Sequence, residues 1–320
     1  MMNELLPIKN IFNNKDVVSI DQFDRASVEK LFTTTRRILK MSPSRRLNLL
    51  KGKLVTLLFF EPSSRTFGSF SAAIKRLGGL TIDYQNPTET SSAVKGETLE
   101  DTIKVFENYS DAIVMRHYEM GAAKRAADAA LFIPVINAGD GSGEHPTQAL
   151  LDGFTLRQEL GKLDGLKGVL AGDLLYGRTV HSLIRLFNLF NNVTLYLLSP
   201  KNLRLPEELM KRFAKSNVKL VEIPTEKDIP RDCDFWYWTR VQKERFKDLK
   251  EYEKVKTRFI LTPELVKERG NKNMLLMHPL PRVGEIDERI DSDPRSIYLN
   301  KQVKNGMYVR MGLLQLILGK

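Results

Sequence analysis

Four consecutive polar residues carry the clearest sign of chemistry in the sequence: Ser63, Ser64, Arg65 and Thr66. They follow the apolar run 54–60 and open a helical pattern at 64–77. Hydroxyls and backbone amides at a helix N-terminus attract anions, and an arginine fork matches phosphate oxygens. A simpler interpretation is helix capping by Ser63 or Ser64 with Arg65 merely exposed, which is compatible with anion binding. The pattern predicts a phosphate site.

Polar residues in three further loops of the first half extend this site. Arg116 ends an apolar run that is predicted to be a strand. His145 can donate a hydrogen bond to a carbonyl oxygen, and Gln148 offers both a donor and an acceptor to an amide-like group. Ser91 and Lys95 lie in a polar stretch before a predicted helix. Such a loop can close over an anion, although a solvated surface loop is the alternative interpretation.

The second half offers groups that suit carboxylates. Arg178 and Thr179 open a helix after "GDLLYG", while Arg240 and Gln242 follow the run "DFWYW". An arginine fork pairs with a carboxylate, and Gln242 can hold Arg240 in place. The "HPLP" corner at 278–281 is stiffened by its prolines and would present backbone carbonyls to a ligand. The inventory indicates an enzyme for two anionic substrates, one a phosphate and one carrying carboxylates.

Metal and nicotinamide chemistry are disfavoured. The four histidines and one cysteine show no metal-ligand spacing. The loop "GDLLYGRTVHSL" follows a predicted strand and opens a helix, but it lacks the G-x-G-x-x-G spacing of a dinucleotide site. We therefore expect neither a metal nor an organic cofactor.

Alternating short apolar runs and amphipathic stretches predict the elements that position these residues. The first half contains the apolar runs "LVTLLFF", "LTIDY", "AIVMR" and "PVINA". The second half shows the same alternation, with the runs "GVLAG", "VTLYLLS", "VKLVEI", "CDFWYW" and "NMLLMHP". Strand and helix in alternation predict an α/β fold with two doubly wound parallel sheets. A helix at 146–160 is expected to join the halves, and a last helix is expected at 305–318. Ligands of such sheets bind at the carboxyl ends of strands, where the polar loops lie.

Composition narrows the class of protein. The chain has 320 residues, of which 42% are hydrophobic and 28% charged, as in a globular protein of about two domains. Its net charge of +11 is spread along the chain and fits small-anion binding or a scattered basic surface, since no long basic tract is present. No apolar run approaches membrane-spanning length, the N-terminus does not resemble a signal peptide, and Cys233 is the one cysteine. A cytoplasmic enzyme, with no membrane and no nucleic-acid partner, is expected.

Taken together, the motifs resemble those of aspartate carbamoyltransferase catalytic chains in the aspartate/ornithine carbamoyltransferase superfamily. The likeness runs from about residue 15 to the C-terminus and includes "EPSSRT", "KGET", "INAGDGSGEHPTQALLD", "GDLLYGRTVHSL", "TRVQKERF" and "HPLPRVGEID". It implies a carbamoyl-phosphate domain at 1–146 plus 305–320 and an aspartate domain at 147–304. It also implies an active-site cleft between the two domains.

The resemblance implies a role for each candidate residue. Carbamoyl phosphate would be bound by Ser63, Ser64, Arg65, Thr66, Ser91, Arg116, His145, Gln148, Leu280 and Pro281. Aspartate would be bound by Lys95, Arg178, Thr179, Arg240, Gln242, Pro279 and Leu280. The catalytic residues would be Arg65, Thr66, Lys95, Arg116, His145 and Gln148. Because Ser91 and Lys95 would reach a neighbouring subunit's site, the active unit would be a homotrimer; regulatory chains or a dihydroorotase are further partners to be considered.

Three positions depart from the family pattern. Ser64 stands where threonine is usual and keeps the hydroxyl. Phe67 replaces a second arginine of the phosphate-loop helix, and Leu175 replaces a lysine in the "GDLKYGRT" pattern. Because the main ligands are intact, activity is still expected.

Two rival functions make different predictions. Ornithine carbamoyltransferases share the first domain but bind a cationic amino acid and carry a cysteine where Pro279 stands, so Arg240 and "HPLP" favour aspartate. A basic nucleic-acid-binding protein that had lost catalysis would show degraded motifs, and its binding would fall steeply with salt.

Overall fold

A computed structural model describes residues 12–86, 96–243, 246, 248–255 and 258–319. The chain divides into two compact units, the first Met1–Phe154 with Lys304–Lys320 and the second Thr155–Val303. The first boundary, between Phe154 and Thr155, falls inside the helix that begins at Pro146. The resemblance placed the end of the first domain at residue 146, the first residue of that helix.

The described elements alternate between strands and helices. The strands are β1 Leu54–Phe59, β2 Leu80–Gln85, β3 Ala112–His117, β4 Val135–Asp140, β5 Lys167–Ala171, β6 Val193–Leu198, β7 Val218–Ile223, β8 Phe235–Trp238 and β9 Leu275–Met277. The α-helices are α1 Arg25–Lys40, α2 Pro43–Arg46, α3 Ser64–Arg76, α4 Leu99–Glu107, α5 Ala122–Ala129, α6 Pro146–Leu160, α7 Arg178–Phe187, α8 Glu207–Phe213, α9 Leu249–Val255, α10 Pro263–Arg269 and α11 Val303–Leu318. Short 3₁₀ turns lie at Ile20–Gln22, Lys201–Leu203, Glu226–Asp228 and Glu288–Ser292, and a π-helical turn lies at Tyr298–Gln302.

The first unit is built on a four-stranded parallel sheet in the order β2-β1-β3-β4. Strands β3 and β4 are buried at every position, as expected of parallel strands that are covered on both faces. The register pairs Phe59 with Arg116, so the carboxyl ends of β1 and β3 lie side by side. The loops that follow these two strands therefore meet at one edge of the sheet.

The second unit is built on a five-stranded parallel sheet in the order β7-β6-β5-β8-β9. The chain runs outward from β5 to β7 and then returns to β8 on the other side of β5, so the strand order reverses between β5 and β8. Ligands of open α/β sheets bind in the crevice outside such a reversal. The register pairs Ala171 with Trp238, which places the loops after β5 and β8 next to each other.

Gly172 permits the close approach of these two loops. It has a φ of +108°, and a Cβ at this position would lie 2.1 Å from the carbonyl oxygen of Thr239. Thr239 itself donates hydrogen bonds from its backbone N–H and its hydroxyl to the carbonyl of Ala171, at 2.8 and 2.9 Å. Any side chain at residue 172 would force the β5 and β8 loops apart.

The structure confirms the predicted α/β class with two parallel sheets, and each strand predicted from an apolar run is present. Helix α1 was not predicted. Its signal was available, because Asp24 accepts a hydrogen bond from the Ser27 amide as an N-cap, and Val28, Leu31 and Ile38 lie on one buried face.

We expect Gly172→Ala to destabilise the second unit by about 3 kcal/mol, because the new Cβ meets backbone rather than a flexible side chain. Gly161→Ala is the matched control, since Gly161 has a φ of +74° with open space around it and should cost about 1 kcal/mol. Urea unfolding followed by tryptophan fluorescence measures the difference, because both tryptophans, Trp236 and Trp238, lie in β8. Equal losses in the two variants would contradict the proposed crowding.

Candidate active site

The predicted phosphate loop forms the start of helix α3. Ser63 occupies the N-cap position, but its side chain makes no capping hydrogen bond. Thr66 is buried, whereas Ser64 and Arg65 are exposed. Because the Ser63 hydroxyl does not cap the helix, the capping interpretation is not observed, and the first amides of α3 can serve an anion instead.

The departure at Phe67 has a packing role. Its ring meets that of Phe59 edge-on, with centroids 5.3 Å apart, and its backbone N–H donates to the carbonyl of Ser63. The aromatic pair joins the last residue of β1 to the first turn of α3. Phe67 thus fixes the entry of the helix by apolar contact.

Arg116 is the penultimate residue of β3 and lies beside the phosphate loop. Its guanidinium lies 3.1 Å from a carboxylate oxygen of Glu61 and donates to the carbonyl of Ala138 at 3.2 Å. The side chain is buried, so the ion pair is shielded from water on most sides. Glu61 directly precedes the phosphate loop, in the turn after β1. These contacts hold a permanent positive charge at the sheet edge where residues 63–66 lie.

His145 and Gln148 sit at the start of α6, after the glycine-rich loop that follows β4. Asp140 organises this loop, since its carboxylate accepts hydrogen bonds from the backbone amides of Glu144 at 2.8 Å and Gly121 at 3.0 Å. His145 and Gln148 are both buried, with less than a tenth of their surface exposed. Residues 63–66 follow β1, and His145 and Gln148 follow β4; these two strands flank β3, which carries Arg116.

In the second unit a buried carboxylate connects the β5 and β8 loops. Asp173 accepts hydrogen bonds from the backbone amides of Tyr176 at 2.9 Å and Gln242 at 3.4 Å. The Gln242 side chain returns a hydrogen bond to the carbonyl of Tyr176 at 3.0 Å. Burial raises the pKa of Asp173, while the backbone donors and the positive charge of Arg240 oppose that rise. Arg178 begins α7 five residues after Asp173, so both predicted carboxylate-binding arginines belong to loops that Asp173 holds.

The "HPLP" corner is fixed by a buried histidine. His278 Nδ1 accepts a hydrogen bond from the Leu280 amide at 2.8 Å, so its proton resides on Nε2, which lies 2.7 Å from Glu285. Burial lowers the pKa of His278, which keeps the ring neutral. Leu280 has a φ of +56°, an uncommon conformation for a non-glycine residue, and its peptide bond to Pro281 is cis. The backbone carbonyls of this corner therefore have defined directions.

The structure groups the described candidates by unit. The first unit holds Ser63, Ser64, Arg65, Thr66, Arg116, His145 and Gln148; the second holds Arg178, Thr179, Arg240, Gln242, Pro279, Leu280 and Pro281. Ser91 and Lys95 lie outside the described residues.

Three buried carboxylates that organise the site, Asp152, Asp173 and Glu285, were missed by sequence reasoning. Asp152 and Asp173 each stand beside apolar residues in the sequence. An acidic residue in such a context indicates a buried carboxylate that is paired with a specific partner. Leu175 is half-buried and donates its backbone N–H to Asp173, but nothing in the structure explains the loss of the lysine.

Within the part of the chain that the structure describes, no group of three or more His, Cys, Asp or Glu side chains is placed to hold a metal ion. Among the same residues, no helix has the length and apolar character needed to cross a membrane.

Comparison with known proteins assigns the chain to a family. Residues 15–158 match the family described as aspartate/ornithine carbamoyltransferase, carbamoyl-P binding domain, and residues 164–317 match its Asp/Orn binding domain. The chloroplastic aspartate carbamoyltransferase of Arabidopsis thaliana is 46% identical over 96% of this chain and 78% of its own length. The aspartate carbamoyltransferase catalytic subunit of Methanobrevibacter smithii is 43% identical over 96% of each chain.

Solved structures agree with this assignment. The catalytic subunit of M. jannaschii aspartate transcarbamoylase superimposes with a TM-score of 0.85 at 43% identity, covering 94% of this chain and 96% of that one. Aspartate transcarbamoylase from Trypanosoma cruzi, in complex with carbamoyl phosphate and aspartate, superimposes with a TM-score of 0.87 at 38% identity, covering 99% of this chain and all of that one. The chain therefore belongs to the aspartate/ornithine carbamoyltransferase family.

Proposed function

We propose that this chain is an aspartate carbamoyltransferase, which transfers the carbamoyl group of carbamoyl phosphate to the amino group of L-aspartate. The products are N-carbamoyl-L-aspartate and phosphate, and the reaction serves pyrimidine biosynthesis. The observation that carries the choice of aspartate is the placement of Arg178 and Arg240, which follow the adjacent strands β5 and β8. Two guanidinium groups suit the two carboxylates of aspartate, whereas ornithine would bring a further positive charge.

The first unit is proposed to bind carbamoyl phosphate. The amides at the start of α3, the hydroxyls of Ser63, Ser64 and Thr66, and Arg65 supply donors for the phosphate. Arg116 is already held at the edge of the sheet by Glu61 and Ala138, so its positive charge needs little rearrangement to meet the carbamoyl oxygen. Lys95 and Ser91 are proposed to complete the phosphate site from a neighbouring subunit.

The reaction needs charge stabilisation more than a protein base. The aspartate nitrogen forms a bond to the carbamoyl carbon, and the bond from that carbon to the phosphate oxygen breaks. Negative charge grows on the carbamoyl oxygen, where Thr66, Arg116 and His145 are proposed to donate hydrogen bonds. The departing phosphate accepts the proton of the attacking amine. Arg65 stabilises the negative charge of this phosphate. Holding the two substrates together supplies much of the remaining acceleration.

The domain assignment follows from the same roles. Carbamoyl phosphate is assigned to 1–146 plus 305–320, and aspartate to 147–304, with Pro279, Leu280 and Pro281 offering backbone carbonyls to both substrates. The fixed geometry around His278 supports a ligand role for this corner. The cytoplasm is the proposed compartment on the ground that a single cysteine cannot form an internal disulfide, although the Arabidopsis relative is named chloroplastic.

Assembly is proposed as a homotrimer with shared sites. Regulatory chains or a dihydroorotase are proposed as further partners. The multifunctional protein CAD of Squalus acanthias is 44% identical to this chain, but the match covers only 14% of that protein's length.

Substrate choice tests the proposed function. The pure protein should be incubated with carbamoyl phosphate and a panel of aspartate, glutamate and ornithine. It should yield N-carbamoyl-L-aspartate, because Arg178 and Arg240 can each pair with one of the two carboxylates of aspartate. Mass spectrometry of the products measures this, with reactions lacking protein as the control for the spontaneous reaction. Preferential formation of citrulline would overturn the assignment.

Shared sites can be tested by mixing two inactive variants. Lys95→Ala removes a group proposed to act in the neighbouring site, and Arg65→Ala removes one that acts in its own site. Hybrid trimers contain some sites with neither lesion, so activity should return when the two are mixed under conditions of subunit exchange. Each variant exchanged with itself is the control. Absence of recovery after demonstrated exchange would exclude sharing.

A further inference from the structure

Helix α6 carries a second polar side chain one turn beyond Gln148. Asp152 is completely buried, and its Oδ1 accepts a hydrogen bond of 3.0 Å from Nε2 of Gln148. An ionised carboxylate has no proton to donate, so it accepts only from the nitrogen side of the amide. The contact therefore fixes which way the Gln148 amide points and keeps its carbonyl oxygen on the side away from Asp152.

A buried arginine on α11, Arg310, is attracted electrostatically to Asp152. Burial lowers the pKa of Arg310 to about 10, and attraction to Asp152 opposes that fall, so Arg310 stays protonated at neutral pH. Its guanidinium donates to Ser69 at 2.7 Å and lies 5.0 Å from the ring centroid of Phe70, both on α3. A positive charge held in this way favours the ionised form of a nearby buried carboxylate.

The arrangement matters because the carbamoyl group ends in an NH₂, which is a hydrogen-bond donor. We infer that Asp152, which holds the Gln148 amide nitrogen, is a positioning residue that turns Gln148 into an acceptor, so that the site selects carbamoyl phosphate over acyl phosphates. This inference rests on the proposed function. Acetyl phosphate shares the phosphate and the carbonyl but has a methyl group in place of the NH₂. A site built to accept a hydrogen bond discriminates against an analogue that lacks the donor.

Asp152→Asn tests the inference at nearly constant volume. Asparagine can either accept from Gln148 or donate to it, so the Gln148 amide can turn over and present its own NH₂ to the substrate. The dissociation constant of carbamoyl phosphate should rise about tenfold or more, while that of acetyl phosphate should change little. Calorimetric binding of each compound to the assembled protein gives the ratio. An unchanged ratio in a folded Asp152→Asn protein would overturn the inference.

A double-mutant cycle separates positioning from general destabilisation. Gln148→Met removes the acceptor and leaves Asp152 and Arg310 in place, so it should lower the same ratio. If Asp152 acts through Gln148, the double variant should discriminate no worse than Gln148→Met alone, whereas additive losses would contradict the inference. Should Asp152→Asn fail to fold, an unchanged ratio in Gln148→Met would still overturn it.

Asp16→Asn is the matched control. Asp16 is another acid of the first unit that accepts a backbone hydrogen bond, from Val135 at 2.8 Å, and it has no part in the proposed site. Its substitution should lower stability without changing the ratio. Because binding of the two phosphates is measured without aspartate, the result is independent of the product assay that tests the overall reaction.

Discussion

The parallel pairing of strands is the constraint on which the site depends. In a parallel sheet all carboxyl ends meet at one edge, so residues that are far apart in sequence become neighbours whenever they follow paired strands. The pairing of Phe59 with Arg116 brings the phosphate loop and an arginine together in the first unit. The pairing of Ala171 with Trp238 does the same for the loops that carry Arg178 and Arg240.

Pairing brings loops together, but buried acceptors determine the direction of their polar groups. Asp173 accepts hydrogen bonds from backbone amides of the β5 and β8 loops, and His278, with Glu285 2.7 Å from its Nε2, accepts one from the Leu280 amide. Asp152 stands in a similar relation to Gln148. A buried carboxylate that is paired with donors is costly to disturb, because removal of one partner leaves the other without compensation. Rigid presentation of donors is what charge stabilisation during catalysis requires.

The sequence was most informative where a pattern had a direct physical meaning. Apolar runs such as 54–59 predicted strands because buried parallel strands are largely apolar, and Pro146 predicted the first residue of α6. Helix α1 was overlooked although its capping signal was present. The partners of Arg116, Gln148 and His278 could not be predicted. The hydrogen bond between Gln148 and Asp152 and the close approach of His278 to Glu285 depend on side-chain directions that residue types alone do not fix.

The central claim is that the charged groups of each sheet serve one substrate. The most direct measurement is calorimetric binding of carbamoyl phosphate alone, combined with steady-state kinetics in both substrates, for Arg116→Ala, Arg240→Ala and the exposed control Arg231→Ala. Arg116→Ala should weaken carbamoyl phosphate binding and cost about 3 kcal/mol of transition-state stabilisation, as loss of one oxyanion donor does. Arg240→Ala should raise the KM for aspartate and slow turnover while leaving carbamoyl phosphate binding as in the control. Loss of carbamoyl phosphate binding in Arg240→Ala, with normal binding in Arg116→Ala, would contradict the account.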